Sequence, residues 1–373
     1  MLLKLPYLAQ FTILKHLELH DHFFLGVCSK RARNLIKCFS RNKNDSSVIN
    51  LYSFCIQLQK TGFLGKDVVM WASCYYRPEN ETLYRSNTNW NRSIIFWYKD
   101  KKIKCKISFH STKGIPILWC KDKYKRMLPM AIYHSICEIF SISPIIQIKF
   151  EMSRLSEFPD TNEIDNVIIG CRDKDQIEEF LKNVIIRNAT QLWLGSCQLS
   201  VDSVILSLEH ALFWSPKWLI KEHLISFRGQ TALFVDPRTI GTDDLIDFIL
   251  HWQQGKNMKL ESLVIILNDY ESLKFDKEKV FEKLDAKPWN PERRAGRFKK
   301  STAMRFSFLT DFLDCTGQMD IERESDGLLA TVIVREKQFF FFVWHVPFPN
   351  TSVDQPFTLP HSLAGIPQFQ IGQ

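Results

Sequence analysis

Apolar residues near the start of the chain recur at spacings of three and four, which is the spacing of one helix face. The members of this stripe are Leu8, Phe11, Ile13, Leu14 and Leu17. Leu5 and Pro6 precede it. A residue before proline is pushed towards an extended backbone, whereas proline itself fits a first helical turn. The pattern therefore predicts an extended entry and a helix that begins near Leu8.

Two further short helices are predicted between residues 21 and 37. Asp21 and Ser29 belong to the residue types that cap helix N-termini, and an apolar run follows each of them. The apolar side chains of these runs are Phe24, Leu25, Val27, Cys28, Leu35 and Ile36. Roughly forty residues seldom bury enough surface to be stable alone. An adjacent domain or a partner must therefore cover their apolar faces.

Residues 5 to 37 resemble the F-box family, although an ordinary N-terminal helical hairpin is the alternative that the pattern alone leaves open. The residues that match are Leu5, Pro6, Ile13, Leu14, Leu17, Asp21, Leu25, Val27, Cys28, Arg31, Leu35 and Ile36. The chain departs from the commonest pattern at residues 7 to 9, Tyr-Leu-Ala, where many members carry a glutamate. The match covers about a tenth of the chain.

The resemblance implies that this segment binds a Skp-type adaptor and, through the adaptor, a cullin scaffold. The residues expected to contact the adaptor are Leu5, Pro6, Leu8, Ile13, Leu14, Leu17, Phe24, Leu25, Val27 and Leu35. The F-box is predicted to occupy residues 1 to 41.

Residues 42 to 90 are predicted to be a linker and a helical connection. Residues 41 to 47 are polar, whereas Leu51, Phe54, Cys55 and Leu58 have helical spacing. Residues 77 to 91 are rich in Asn, Glu and Ser, which favours a loop.

A β-hairpin is predicted next, with one strand over residues 94 to 98 and the other over residues 103 to 109. Apolar and basic residues alternate along the second strand. Because successive side chains of a strand point to opposite faces, Lys102, Lys104 and Lys106 should share the outer face.

From residue 125 onward, helical patterns alternate with short apolar runs. Helices are predicted over residues 127 to 140, 173 to 186, 202 to 213 and 242 to 253, with Thr242, Asp243 and Asp244 opening the last one. Strands are predicted over residues 145 to 150, 166 to 169, 191 to 194, 232 to 235 and 263 to 267. The last three begin at Gln191, Ala232 and Leu263, so the first interval between them is longer than the second. Such strand-and-helix units suggest a curved, mainly parallel sheet like that of leucine-rich repeats, with an irregular period.

Residues 319 to 346 are predicted to form an antiparallel hairpin that turns at Asp326 and Gly327. Together with residues 245 to 263, this region resembles the type 2 F-box-associated domain of nematode proteins. The segments that match are residues 245 to 252, 255 to 263, 320 to 323, 326 to 327, 330 to 331 and 343 to 345. The resemblance is best over residues 200 to 346. It implies a non-catalytic receptor domain over residues 91 to 347, followed by a tail over residues 348 to 373.

The predicted fold class is therefore α+β: a three-helix F-box, then an α/β domain with a leucine-rich-repeat-like sheet, then a C-terminal hairpin. No apolar run approaches the roughly 18 residues that a bilayer crossing requires. No small-residue cleavage site follows the N-terminus, so a signal peptide is not expected. The ten cysteines are scattered singly, which indicates buried free thiols. We expect a protein of the cytoplasm, the nucleus or both.

The net charge of +8 is concentrated in two segments of the sequence. Residues 1 to 45 hold eight basic and three acidic side chains, and residues 287 to 300 hold six basic and one acidic. Each segment carries +5, which leaves −2 for the remainder. This distribution disfavours a nucleic-acid binder. The second segment is predicted to be a mobile loop, with a nuclear-import signal at residues 293 to 300 as an alternative.

Candidate catalytic and metal-binding patterns are weak. His16 and His20 have the spacing of a metal site, but no third ligand is evident and exposed helix-edge histidines are the simpler interpretation. Alternating carboxylates from Asp320 to Asp326 are expected to form the exposed face of the hairpin, with Arg323 opposite. Trp214, Trp218 and Trp252 could form a recognition patch, although core packing is the simpler interpretation. No catalytic residue, metal or cofactor is predicted.

The sequence therefore predicts a receptor subunit of a Skp/cullin/F-box ubiquitin ligase, with the adaptor on the F-box and an unknown target protein on the downstream domain. One alternative is an adaptor-bound regulatory or structural protein that recruits no target. A basic nucleic-acid-binding protein is the third.

Overall fold

The computed structural model describes residues 2–17, 19–41, 53–57, 93–109, 116–124, 126–141, 145–195, 197–268, 273–299 and 312–349. The described residues fall into two compact units that divide between Asn166 and Val167. The predicted domain boundaries at residues 41 and 90 stay predictions. The loop predicted over residues 77 to 91 and the tail after residue 349 lie outside the described residues.

The first unit combines four helices with short strands. Its elements are α1 (Tyr7–Lys15), α2 (Leu19–Cys28), α3 (Lys30–Arg41), β1 (Ser53–Gln57), β2 (Ser93–Tyr98), β3 (Lys101–Phe109), β4 (Pro116–Trp119), α4 (Leu128–Phe140) and β5 (Ile145–Glu151). The division falls within the next strand, β6 (Glu163–Gly170). Three-residue and six-residue 3₁₀ helices lie at Leu2–Lys4, Asp122–Tyr124 and Met152–Glu157.

The three predicted N-terminal helices are present, and the cap of the third is confirmed. The Ser29 hydroxyl accepts a hydrogen bond from the backbone N–H of Ala32 (3.1 Å), as an N-cap residue should. The predicted cap at Asp21 is wrong, because α2 begins at Leu19 and Asp21 lies in its first turn. There its carboxylate still faces the positive end of the helix dipole.

The helix predicted to begin near Leu51 is wrong, because residues 53–57 form strand β1. This strand pairs in parallel with β5, with Ser53 opposite Ile145. A short apolar run fits either a helix or a buried strand, and only the neighbouring strand decides between them.

The predicted hairpin of β2 and β3 is confirmed, and a third antiparallel strand, β4, extends it. Its turn is a two-residue loop in which Lys99 and Asp100 both have positive φ, +44° and +62°. Such backbone angles are those of the tight hairpin turn whose twist matches the strands. Lys102, Lys104 and Lys106 are exposed as expected, whereas Ile103 and Cys105 are completely buried.

Helix α4, predicted at residues 127 to 140, packs against both the hairpin and the N-terminal helices. The rings of Tyr98 and His134 stack at 5.6 Å, and those of Phe23 on α2 and Phe96 on β2 stack at 6.1 Å. Later elements of the same chain therefore cover part of the apolar surface of the three short helices.

The second unit combines helices with a sheet of mixed direction. Its elements are α5 (Lys174–Asn183), β7 (Ile185–Trp193), β8 (His210–Trp214), α6 (Lys221–Ser226), β9 (Thr231–Val235), α7 (Thr242–Gln253), β10 (Ser262–Ile266), α8 (Lys277–Lys283), β11 (Lys287–Pro288), β12 (Arg297–Lys299), β13 (Phe312–Asp314), β14 (Met319–Glu322), β15 (Leu329–Arg335) and β16 (Gln338–Val343).

Strands β7, β8, β9 and β10 are parallel neighbours, which is the ladder that the repeats predicted. Thr190, Ala211, Ala232 and Leu263 occupy equivalent register positions, and the first three are evenly spaced along the chain. The long interval between the strands predicted at residues 191 and 232 therefore contains an additional strand, β8. The even spacing is about 20 residues, at the short end of the range typical of leucine-rich repeats.

Two predicted helices of this unit need correction. The one expected over residues 202 to 213 is wrong, since a 3₁₀ turn (Val204–Ser207) is followed there by β8. The one expected over residues 173 to 186 ends at Asn183, and β7 begins at Ile185. β-Branched residues at 184 to 186 favour this extended backbone.

The antiparallel hairpin predicted at the C-terminal end is confirmed and has three strands, because β14, β15 and β16 pair in succession and β16 joins the edge of β10. Helix α7 covers one face of the sheet, where Trp252 lies 5.1 Å from Phe341 between ring centres. The short β12–β13 ribbon covers the other face, where Phe298 stacks on Phe342 at 4.9 Å. Sheets buried on both faces need continuous apolar strands, which explains the short unbroken apolar runs in the sequence.

The basic segment at residues 287 to 299 is ordered, which corrects the predicted loop. It contributes strands β11 and β12, and Arg294 is completely buried. The guanidinium of Arg294 donates to both carboxylate oxygens of Asp320, at 2.8 to 3.0 Å. Asp320 therefore does not lie on an exposed hairpin face. Arg323 is buried as well and pairs with Asp326 across the turn.

The fold class is the predicted one: N-terminal helices, then a sheet-rich region with parallel strands, then a C-terminal antiparallel hairpin. Trp214, Trp218 and Trp252 are all buried, so they belong to the core. Cys28 and Cys38 are exposed, in contrast to the expectation that the thiols are buried. None of the helices in the described residues combines the length and hydropathy needed to cross a membrane.

Candidate functional site: an exposed apolar face on the N-terminal helices

The first helix exposes large apolar side chains to solvent. Leu8 is 82% exposed, Tyr7 53%, Leu5 40% and Ile13 38%, and Pro6 is exposed beside them. Single exposed apolar residues are ordinary, but several of them on one short helix and its entry indicate a protein-interaction surface. We call these five residues the apolar face.

Local contacts fix the start of the apolar face. The side-chain amide of Gln10 donates to the carbonyl oxygen of Leu5 (2.7 Å), which holds the Leu-Pro entry against the first turn of α1. The ring of Tyr7 lies 4.3 Å from that of Phe11, and Phe11 meets the buried ring of Phe39 on α3 edge-on at 5.2 Å. The exposed residues are therefore presented on a packed support.

The remaining predicted contact residues lie deeper. Leu17, Phe24, Leu25 and Val27 are half-buried. Leu14 is 0% and Leu35 9% exposed, and both belong to the small core that the three helices share. Their predicted contact with an adaptor is not available in this conformation, because side chains of this chain already cover them. Helical spacing identified this stripe correctly but does not say which of its members face inwards.

One exposed residue of this surface was absent from the predicted contact set. Tyr7 lies directly after the Leu-Pro pair, where the family pattern led us to expect a glutamate. An aromatic residue with a polar tip suits a surface that is apolar at its centre and wet at its rim. The feature of the sequence that could have identified Tyr7 as a contact residue is its position beside Pro6.

Hydrogen bonds, an ion pair and close packing join the N-terminal helices to one another and to α4. His22, only 3% exposed, donates from Nε2 to the carbonyl oxygen of Leu14 (2.8 Å) and so ties α2 to α1. Arg33 donates to the carbonyl oxygen of Gly26 (3.2 Å) and forms an ion pair with Glu138 on α4. Gly26 approaches α4 so closely that an added Cβ would lie 2.8 Å from Ile139 Cγ2.

His16 is the member of the predicted histidine pair whose side chain the structure describes. His16 is exposed at the end of α1. Among the described residues, no three His, Cys, Asp or Glu side chains come close enough to hold a metal ion.

The comparison with family models decides the character of this segment. Residues 2–44 match the model described as the F-box domain. The predicted resemblance of this segment to an F-box is thereby confirmed, and the apolar face lies within the matched residues.

Two proteins of Caenorhabditis elegans, both described as uncharacterized, are similar to this chain. The first is 36% identical over 124 residues, which are 33% of this chain and 32% of the relative. The second is 26% identical over 153 residues, which are 39% of this chain and 32% of the relative. The matches thus span about a third of the length of either relative. No solved structure matches this chain.

Proposed function

We propose that this protein is a receptor subunit of a Skp/cullin/F-box ubiquitin ligase. The observation that carries the proposal is the coincidence of the F-box match at residues 2–44 with an exposed apolar face on α1. An F-box supports adaptor binding in general, and burying Leu5, Tyr7, Leu8 and Ile13 against an apolar adaptor groove would remove their unfavourable contact with water.

Catalysis in such a ligase belongs to the partners, and the receptor contributes proximity. Holding the adaptor and a target protein on one chain raises the effective concentration of the target near the conjugating enzyme. No catalytic residue of this chain is needed for that role.

The residues after the F-box are proposed to be the target-holding domain of the type 2 F-box-associated kind. Support comes from the segments that carry the resemblance, since several of them pack together. The guanidinium carbon of Arg323 lies 5.0 Å from the centre of the Trp252 ring, and the Thr331 hydroxyl donates to the Asp320 carboxylate (2.8 Å). We propose the cytoplasm, the nucleus or both as the location of the protein.

Leu8→Asp tests the adaptor contact. Because Leu8 is 82% exposed, a charge there should change the free energy of unfolding by at most about 0.5 kcal/mol. Placed in a buried contact, the same charge should weaken capture of a Skp-type adaptor at least about tenfold. Co-purification with the adaptor and a binding isotherm measure this.

The matched control is Leu250→Asp, the same substitution at an exposed leucine of α7. It should leave adaptor capture unchanged. Leu14→Asp is a poor test, because Leu14 is a core residue whose replacement unfolds the helices. Full capture by the Leu8→Asp protein would contradict adaptor binding through the apolar face.

A further inference from the structure

The outer face of the β2–β3 hairpin carries a second exposed surface, distinct from the apolar face. Trp97 is 63% exposed and Ile95 is 37% exposed. In the register of the two strands, Trp97 lies opposite Lys102 and Ile95 lies opposite Lys104. We call Ile95, Trp97, Lys102 and Lys104 the lysine face.

The side chains that β2 and β3 place on this surface are basic or uncharged. Side chains of alternating residues share a face, so β3 presents Lys102, Lys104 and Lys106 while β2 presents Ser93, Ile95 and Trp97. Neither strand places a carboxylate on that side. Among the described residues, no carboxylate lies within ion-pair distance of Lys102 or Lys104. Lysines two residues apart on a strand are about 7 Å apart, which is also the spacing of alternate side chains in an extended peptide.

The hairpin is held firmly from behind. Phe96, Ile103 and Cys105 on its inner face are at most 1% exposed. The hydroxyl of Tyr98 donates to the carbonyl oxygen of Asp160 (2.9 Å), and Lys99 pairs with the Asp160 carboxylate (3.0 Å). Because Phe96 also stacks on Phe23 of the F-box helix α2, the lysine face is supported by the same packed unit as the F-box.

We infer that the lysine face binds an extended acidic segment of a partner protein, with an apolar side chain of that segment seated between Ile95 and Trp97. Tryptophan is among the residues that most often anchor protein interfaces, and the lysine row complements carboxylates and steers their approach. This inference rests on the proposed function, in which the partner segment belongs to the target protein.

The composition of the lysine face favours a peptide over a nucleic acid. Single-stranded nucleic acids use successive aromatic side chains, one for each stacked base, whereas Trp97 is the one aromatic side chain among the residues that define the lysine face. The aliphatic side chain of Ile95 offers nothing to a phosphate or to a base edge. An acidic peptide with a leucine uses both kinds of residue on the face.

The probe is a fluorescein-labelled peptide of about ten residues, long enough to span the hairpin, rich in Asp and Glu and containing two leucines. We expect it to bind the full-length protein. The same peptide with Asn and Gln in place of its acids should bind at least about tenfold more weakly. Affinity for the acidic peptide should also fall as salt is raised from about 50 to 500 mM.

Lys102→Glu combined with Lys104→Glu should weaken peptide binding at least about tenfold, and Trp97→Ala should do the same. Lys101→Glu is the matched control, since Lys101 is exposed on the same strand but in register with Tyr98 on the opposite face. It should change the affinity by less than about threefold. Circular dichroism verifies that each variant is folded.

Three results would overturn the inference: no binding of the acidic peptide, equal loss in the Lys101→Glu control, or tighter binding of an oligothymidine of similar length. Adaptor capture is measured on the same preparations. Its failure contradicts the proposed ligase role, whereas its success with no peptide binding contradicts only the lysine face.

Discussion

Helix α1 and strand β16 are both rich in large apolar residues, yet the chain treats them in opposite ways. All six residues of β16, Gln338–Val343, are at most 1% exposed. On α1, Leu8 is 82% and Tyr7 53% exposed. Composition alone does not distinguish these segments; the difference lies in what covers them.

Strand β16 is covered on both faces by its own unit, by Trp252 of α7 on one side and by Phe298 on the other. Helix α1 is covered on the side that faces α3, where Phe11 meets Phe39, whereas Leu8 and Tyr7 are exposed. Since burying a large apolar side chain is worth about 1.5 to 3 kcal/mol, an uncovered group of them is a favourable place for a partner. The contrast therefore locates an attachment surface on α1 and a self-sufficient core around β16.

The largest predicted loss of stability, which would sharpen this contrast, comes from removing a buried charge in the self-sufficient core. Arg294 is 0% exposed and donates to Asp320, which also accepts from the Thr331 hydroxyl (2.8 Å). Arg294→Ala would leave the Asp320 carboxylate buried without its cation, which costs about 3 to 5 kcal/mol. Urea unfolding followed by tryptophan fluorescence measures the loss.

The adjacent arginine provides the control. Arg293 pairs with Glu322 at 2.9 Å, but the two side chains are 42% and 39% exposed. Solvent screens such a pair, so Arg293→Ala should cost at most about 1 kcal/mol. Equal losses in the two variants would show that the region around Asp320 is open to water, and the contrast with α1 would fail.

An intermediate effect on stability is expected where the F-box helix α2 packs against α4. In Gly26→Ala the new methyl group would lie 2.8 Å from Cγ2 of the buried Ile139, so α2 and α4 must separate slightly. Overpacking costs about 1 to 3 kcal/mol, and alanine returns about 1 kcal/mol of helix propensity. A net loss of about 1 kcal/mol in urea unfolding is the expected result.

Ile139→Val in the Gly26→Ala background removes Cδ1 of Ile139, which would lie 3.0 Å from the new methyl group. If the contact between α2 and α4 causes the loss, the double variant should be less destabilised than the sum of the two single variants. Strict additivity would indicate that Gly26 matters for another reason, and the F-box would not depend on α4 at this point.

Much of the fold could be predicted from periodicity. The helical stripe from Leu8 to Leu17 and the alternating lysines of β3 each follow one face of one element, so a short window of sequence is enough. The F-box itself could be predicted because its Leu-Pro and Val-Cys pairs lie close together in sequence.

Errors arose where distant residues decide the structure. Strands β1 and β8 looked helical, and both are set by parallel neighbours, β5 for the first and β7 with β9 for the second. Local spacing contains no record of those partners. The burial of Arg294 was missed for a similar reason, because its partner Asp320 lies far along the chain, beyond the reach of any local pattern.

The candidate surface could be predicted only in outline. The sequence pattern assigned Leu8 and Leu14 to one stripe. In the structure, Leu14 packs in the core with Leu35 and Phe39, whereas Leu8 is exposed. Trp97 could not be singled out from sequence, since the other tryptophans whose burial the structure describes are buried or half-buried. Exposure depends on the packing of the whole unit.

The smallest predicted effect concerns a charge pair at the rim of the self-sufficient core. Asp326 accepts from the buried Arg323 (2.6 Å), and this hydrogen bond lowers the pKa of the Asp326 carboxyl to about 2, from an ordinary value of 3.8. A carboxyl whose pKa is lower in the folded state stabilises the fold above its ordinary pKa, and that contribution is lost as the pH falls towards the folded-state value.

Asp326→Asn keeps the shape of the turn but cannot titrate. At pH 5 the variant should unfold at a slightly lower urea concentration than the unmodified protein, and the gap should close as the pH is lowered from about 4 to 2. Other carboxylates titrate in both proteins and cancel in the difference. A gap that stays constant over this range would mean that the Asp326 charge contributes nothing to the stability of the turn. A charge at the rim of this core would then matter as little to stability as an exposed residue of α1.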